Sequence, residues 1–393
     1  MNRHKEAGLT LVELLVSMAL LLVLLVPLLS FMRAGQLARS TTVRLADVEQ
    51  NARAALQSIG RDIQNAGYNF APSIPVGSSA FLDPLTGPPI PAPAPSAYNI
   101  SPILPGNNIN LVRTVDSNGA TVTNRTDQIT MIFVDQSFNE GRPLSGNLID
   151  NGRKFRVFTG GGPLPAASAE LFRGSFAVLS IGGEFAIGVV TDNNLAGDIS
   201  FEMDTYGINQ PGTGRLFNVS RNPQVAGQVS LYKFFFVSYY VDGNGNLIRR
   251  EQLPPPHTQS GGSPSMAAVA LTPNRDTYDC KFGTCFYDSI IATGVEDLQF
   301  SYYLFIPDTT VTNIAGPVED PSFYGRATNG GGTTQPYRLL DIRQVNVSIR
   351  VRASERDVKV HDQYNPALGY LYRFSLDATF NTRNFYGSDF RPN

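Results

Sequence analysis

Gly8-Leu9-Thr10-Leu11-Val12-Glu13 stands between a short basic leader, Arg3-His4-Lys5, and an apolar run from Leu14 to Met32. The run is broken only by Ser17, Pro27 and Ser30. About 20 such residues at 1.5 Å each cross the ~30 Å hydrocarbon layer of a bilayer, so a spanning helix is expected. A secretory h-region is shorter, about 7–15 residues, and ends at a small-residue cleavage site. Met32-Arg33-Ala34-Gly35 does not supply one. An acidic side chain inside a span costs roughly 2.5–3.5 kcal/mol on insertion scales, so Glu13 is expected to have a partner or a role. Arg3 and Lys5 precede the span and Arg33, Arg39 and Arg44 follow it, so loop charge does not fix its orientation.

The polar sequence beyond Phe31 keeps helical spacing. Leu45, Val48, Ala52, Ala55, Ile59, Ile63 and Ala66 recur at three- and four-residue intervals, which predicts one apolar stripe packed on a sheet of the same chain. Arg44, Asp47, Glu49, Arg53, Arg61 and Asp62 are assigned to the outer face. Gly67 is placed to end the helix, and Pro27 to kink or melt it locally. The remainder reads as α+β: a long N-terminal helix packed on a β-rich head of antiparallel strands. The expected organisation is 1–8 leader, 9–32 transmembrane helix, 33–67 amphipathic helix, 68–107 Pro-rich loop and 108–393 head.

The strand readings rest on particular runs. Gln128–Val134 is one. Phe176–Ile181 and Phe185–Val190 make a hairpin around Gly182-Gly183. Val229–Val241 turns through Asp242-Gly243-Asn244-Gly245-Asn246 into Leu247–Arg250. Val295–Phe305, Ile342–Val351 and Tyr370–Thr382 close the chain. Ala71 to Gly106 holds ten prolines and reads as a polyproline-type loop.

With 16% charged residues, a net charge of −2 and a pI near 6.0, the chain offers no electrostatic case for nucleic acid. Its histidines, His4, His257 and His361, have no partners at catalytic or metal spacing, and no phosphate-loop, nucleophile-elbow or zinc motif occurs. No catalytic residue, metal or cofactor is expected, and the chain is read as a structural subunit rather than an enzyme. The Asp242–Asn246 turn lacks the glycine and the closing Glu of a calcium loop. Cys280 and Cys285 suggest a local disulfide in an exported chain, adding about 2–3 kcal/mol at most.

The basic leader, Gly8 and the Leu-Thr-Leu-Val-Glu-Leu-Leu-Val-Ser that follows resemble the class III signal of type IV pilins and pseudopilins. The resemblance implies cleavage between Gly8 and Leu9 by a prepilin peptidase and N-methylation of Leu9. It also implies that Glu13 pairs with a neighbour's new amine in a filament core, as a buried charge requires. Leu9 departs from the usual phenylalanine, and Pro27 comes about three residues earlier than the family's proline.

Arg61-Asp62-Ile63-Gln64-Asn65-Ala66-Gly67-Tyr68 resembles the helix end of the PilW family of minor pilins. So do Gly294–Tyr302, Arg343–Arg352 and Asn381-Thr382-Arg383-Asn384, which are also similar to J-type pseudopilins. The resemblance implies a minor pilin that helps initiate, and can cap, type IV pili in twitching motility. Other minor pilins, the major pilin, the peptidase and the inner membrane would be its partners. Its head would face the periplasm before assembly and the cell surface afterwards. A type II secretion pseudopilin, a tip adhesin or DNA-uptake subunit, and a membrane-anchored periplasmic enzyme are the alternatives. Residues 71–225 carry no resemblance.

Overall fold

The computed structural model describes residues 11–67, 74–76, 98–100, 102–116, 120–171, 175–181, 184–193, 197–201, 216, 220, 228–253, 279–281, 284–305, 314–318, 342–353 and 370–382. One helix, α1, runs from Leu11 to Asn65, about 82 Å at 1.5 Å per residue. It is helical through Pro27, so the expected local melting is not seen. The ring removes one amide donor, and Ser30 Oγ donates to the Pro27 carbonyl at 2.7 Å. Gly67 ends the helix as expected. Its φ is +75°, its amide donates to the Ile132 carbonyl at 2.9 Å, and a Cβ there would lie 2.7 Å from Pro102.

The strands follow as β1 (Ile74–Val76), β2 (Tyr98–Ile100), β3 (Ile103–Val115), β4 (Thr121–Val134), β5 (Leu144–Ile149) and β6 (Lys154–Val157). Then come β7 (Phe176–Ile181), β8 (Glu184–Val189), β9 (Asp192–Asn193), β10 (Asp198–Ser200), β11 (Val229–Val241) and β12 (Leu247–Leu253). The last are β13 (Asp279–Lys281), β14 (Thr284–Ala292), β15 (Val295–Phe305), β16 (Ile314–Val318), β17 (Ile342–Arg352) and β18 (Arg373–Asn381). Among the described residues all pairings are antiparallel. The α+β architecture, with a long helix and a β-rich head, is therefore the one the sequence predicts. β3 begins at Ile103, inside the stretch read as loop, because buried Ile103 and Leu104 anchor it to the core.

β11 is the spine of the largest sheet. Its C-terminal half pairs with β4 and β12, and its N-terminal half with β5 and β7. Val134 lies opposite Phe234 in the β4–β11 ladder, so everything from 135 to 233 is an excursion from the end of one hairpin. Its root is tied by the Asp135 amide donating to the Lys233 carbonyl at 2.8 Å and by the Lys233–Asp135 ion pair at 3.3 Å. The excursion has its own core, around Phe138, Phe155, Leu179, Ile199, Phe201 and Leu231. The hairpin β7–β8 is shared. Phe176, Val178, Ile187 and Val189 face the main core, while Ala177, Leu179, Ile181 and Ala186 face the second one.

The excursion lies beyond the end of α1. Gly67 is bonded to Ile132, and Ile132 pairs with Phe236, so the helix ends level with Phe236. β11 extends from there back to Val229, about 23 Å at ~3.3 Å per residue. β11 runs antiparallel to the helix, because its other end, at the turn 242–246, lies beside Arg44 to Asn51.

Candidate functional site: the two halves of the helix

Leu11 to Met32 present their large apolar side chains to the outside, with Phe31 78% exposed. Among the described residues, α1 is the one helix long and apolar enough to cross a membrane. Glu13 lies in its first turn, on a part of the helix that the head does not cover. Gly8 and Leu9, the expected cleavage and methylation positions, lie outside the described residues.

The second half docks on the head. Val48, Ala52, Ala55, Leu56, Ile59, Ile63 and Ala66 are buried against β17, β18, β14 and β4. Gly60 permits the closest approach: a Cβ there would lie 2.1 Å from the Phe380 ring. Leu45 belongs to the predicted stripe but is 42% exposed: the head reaches Thr41, which accepts from Tyr372 Oη at 3.3 Å, yet it covers the Thr41 and Arg44 side of the helix, and Leu45 is turned roughly 40° from Ile59 the other way.

Two residues assigned to the outer face are corrected. Asp62 is 5% exposed and faces the head, and Arg44 is half-buried and lines a cavity there. The spacing explains both. At about 100° per residue each lies roughly 60° from Ile59, close to the stripe. Arg53 and Arg61 do lie outside.

Asp62 is the centre of the dock. It accepts from Tyr239 Oη at 2.8 Å and from Arg249 Nε at 2.8 Å. Ser58 Oγ and Tyr239 Oη share a hydrogen bond at 2.8 Å, and Arg249 also donates to Glu251 at 2.5 Å. Burial and the Asp62 charge push the Tyr239 hydroxyl far above its usual range. Burial disfavours the Arg249 cation, but Asp62 and Glu251 outweigh it and hold the guanidinium charged. Nearby, burial pushes Tyr240 up to about 12, with Asp288 reinforcing the shift.

A second buried acid holds the sheets together. Glu296 is 3% exposed and accepts from Thr114 Oγ1 and from Arg373 Nε at 2.8 Å, with Arg352 Nε at 3.6 Å. Asp127 accepts from the amides of Asn108 and Phe300, each at 2.8 Å. These acids tie β15, β18 and β17 to β3 and β4. Sequence reading placed Asp62 and Glu296 within motifs but gave neither a role. Their signal was an acid inside an otherwise apolar periodic element.

Asp242 serves its own turn. Its Oδ1 accepts from the amides of Asn244 and Asn246, and its Oδ2 from the Asn246 side chain at 2.9 Å. Among the described residues no cluster of His, Cys, Asp and Glu could hold a metal. The register of β13 and β14 sets Cys280 opposite Cys285, and their side chains lie outside the described residues.

Residues 3–29 match the family described as the prokaryotic N-terminal methylation motif. This supports a type IV pilin-like protein with a membrane-competent N-terminal helix. No curated protein and no solved structure matches the chain.

Proposed function

We propose that this protein is a minor pilin of the PilW type, a structural subunit that helps initiate type IV pili. The carrying observation is the methylation motif at residues 3–29, in front of a helix whose first half is bare and whose second half is docked. In this reading Gly8 is the last residue of the leader, Leu9 is the methylated N-terminus, and Glu13 pairs with the amine of a neighbour. The bare half is held first by the inner membrane and then by other subunits. Each large apolar side chain it buries contributes roughly 1.5–3 kcal/mol. The chain acts by assembly, with the peptidase, other minor pilins and the major pilin as partners, and without catalysis or cofactor.

The excursion 135–233 favours the tip over the shaft. It extends about 23 Å past the end of α1, into space that a subunit stacked above along the helix direction would need. Sheared filaments labelled for this protein are expected to carry it at one end; regular labelling along the shaft would return it to the shaft.

Intact mass and N-terminal sequencing of the membrane protein, with and without the prepilin peptidase, test the class. A chain starting at methylated Leu9, and lost without the peptidase, is expected. A chain starting at Met1, or cut after Phe31, would make it an anchored or secreted β-domain instead.

A further inference from the structure

β18 ends the sheet β16–β15–β17–β18, and among the described residues nothing pairs with its far side. The ladder fixes which groups face that side. The Thr382 amide donates to the Arg343 carbonyl, and the Tyr372 carbonyl accepts from the Ala353 amide. Backbone groups alternate in direction along an antiparallel strand, so the even-numbered residues of β18 bond inward. The amides and carbonyls of Arg373, Ser375, Asp377, Thr379 and Asn381 therefore point outward, and these residues are exposed. Sheet edges are commonly blunted by shortness, proline or bulges. The opposite edge, β16, is short, contains Pro317 and is irregular against β15. β18 is 9 residues long, has no proline and keeps one register with β17. The core also thins there. Val345, Val347, Ile349 and Val351 of β17 are fully buried, whereas Phe380, Ala378, Leu376 and Phe374 opposite them on β18 are only half-buried.

Tyr372 Oη donates to Thr41 at 3.3 Å and the Phe380 ring meets Gly60, so β18 runs in the same direction as α1. Its open side lies on the Gly60 flank of the helix, about 100° round from Ile59 and away from Asp62. Leu45, about 40° round towards that flank, is 42% exposed. Ala46, Glu49 and Arg53 border an open hollow of about 350 Å³ on the same flank. We propose that an extended segment from the head of a neighbouring filament subunit pairs antiparallel with β18 along this flank, which rests on the filament reading above. An unpaired ladder edge selects an extended backbone as its guest. The half-buried Phe374, Leu376 and Phe380, with Leu45, select apolar side chains at alternate positions on the guest's helix side. Direction narrows the source. Two β18 strands paired antiparallel would point their helices opposite ways, and one membrane could not hold both bare halves. The guest is therefore a strand other than β18. Position completes the argument. The first half of α1 is exposed all round, so a subunit that covers it on the Gly60 flank carries its head alongside β18.

The test uses the full chain in its own cell. Ser375→Pro removes one outward amide and leaves the bonds to β17 in place, as proline on the open side of an edge strand does. Ser375→Ala keeps the amide. Both are compared for processed protein in the membrane, for thermal unfolding of the extracted head and for recovery with sheared filaments. Processing and unfolding are expected to match the wild type. Recovery is expected to fall tenfold or more for Ser375→Pro and to stay within about twofold for Ser375→Ala. Photo-crosslinkers placed singly at Ser375 and Thr379, both exposed, leave the backbone intact and decide the matter even where the proline variant unfolds. Both are expected to join one segment of another filament subunit. The site joined to Ser375 should come about four residues later in that segment than the site joined to Thr379, as an antiparallel strand requires.

Wild-type recovery of a folded Ser375→Pro overturns the proposal, as does the reverse order of the two crosslinked sites. Crosslinks within the same chain also overturn it, by showing that the chain covers its own edge. So do crosslinks to a protein absent from the filaments, or none at all. Wild-type protein absent from sheared filaments is a different result: it removes the filament reading and this proposal together.

Discussion

Residues 11–36 and 48–66 belong to one helix, yet the first stretch is bare and the second is buried. The difference is in what each half asks of its surroundings. The docked half meets complementary groups on its own chain: Asp62 finds Tyr239 and Arg249, and Gly60 admits Phe380. The bare half must obtain its apolar cover from lipid or from other subunits. One acid on each half marks the contrast. Asp62 is a fixed point of the monomer, whereas Glu13 lies where a second chain would come.

The comparison predicts that substitutions act on different observables in the two halves. The largest effect is expected at the buried acid. Arg249→Leu removes one side of a buried pair, which costs about 3–5 kcal/mol because Asp62 stays enclosed without its cationic partner. Thermal or denaturant unfolding of the head should show this loss. Leu22→Ala, in the bare half, should leave the same transition unchanged and reduce membrane retention or assembly. Equal loss of head stability for both would break the comparison.

Cavity formation comes next. Ile59 is fully buried, so Ile59→Ala should cost about 2–5 kcal/mol. Leu45→Ala, at a position of the stripe that stays 42% exposed, should cost less than about 0.5 kcal/mol. That pair of variants separates the covered from the uncovered edge of the one stripe.

The sequence made the helix legible because its two periodicities are strong. A continuous apolar run and a three-four stripe each have one plausible meaning. The runs at Val229–Val241, Val295–Phe305 and Ile342–Arg352 were equally plain, since β-branched and aromatic residues dominate them. Other features depended on contacts between distant residues. Asp62 looked solvent-facing because charged residues usually are, and only the arrival of Arg249 from residue 249 makes its burial tolerable. Leu45 looked buried because the stripe reaches it, but which side of the helix is covered at that level is set by distant residues such as Tyr372, which reaches Thr41. β5, β6, β9 and β10 are short and rich in polar residues, so their pairing around β11 had no strong local signal. That Val134 faces Phe234 is a pairing across 100 positions, invisible to local pattern.

Hydrogen bonding at the dock gives a smaller effect. Tyr239→Phe keeps the ring but removes a donor to Asp62, and about 1–2 kcal/mol of head stability should be lost at neutral pH. Ser58→Ala removes only the outer member of that chain and should cost about 0.5–1.5 kcal/mol.

The smallest effect at neutral pH, and a diagnostic one in alkali, concerns Tyr240. Its folded pKa of about 12 lies above the usual value near 10, because burial disfavours the phenolate. Between these values the folded state binds the proton that the unfolded state has lost, so stability falls as pH rises. The contribution is fully present below pH ~10 and is lost progressively towards pH ~12. Tyr239, raised further by burial and by Asp62, extends the decline in the same direction. Unfolding measured from pH 8 to 12 should therefore show a steepening loss that Tyr240→Phe partly flattens and the double Phe variant flattens more. The bare half carries no tyrosine. Membrane retention of the protein should therefore stay level over the pH range in which the docked half loosens. Parallel loss of both would mean that the two halves do not act separately.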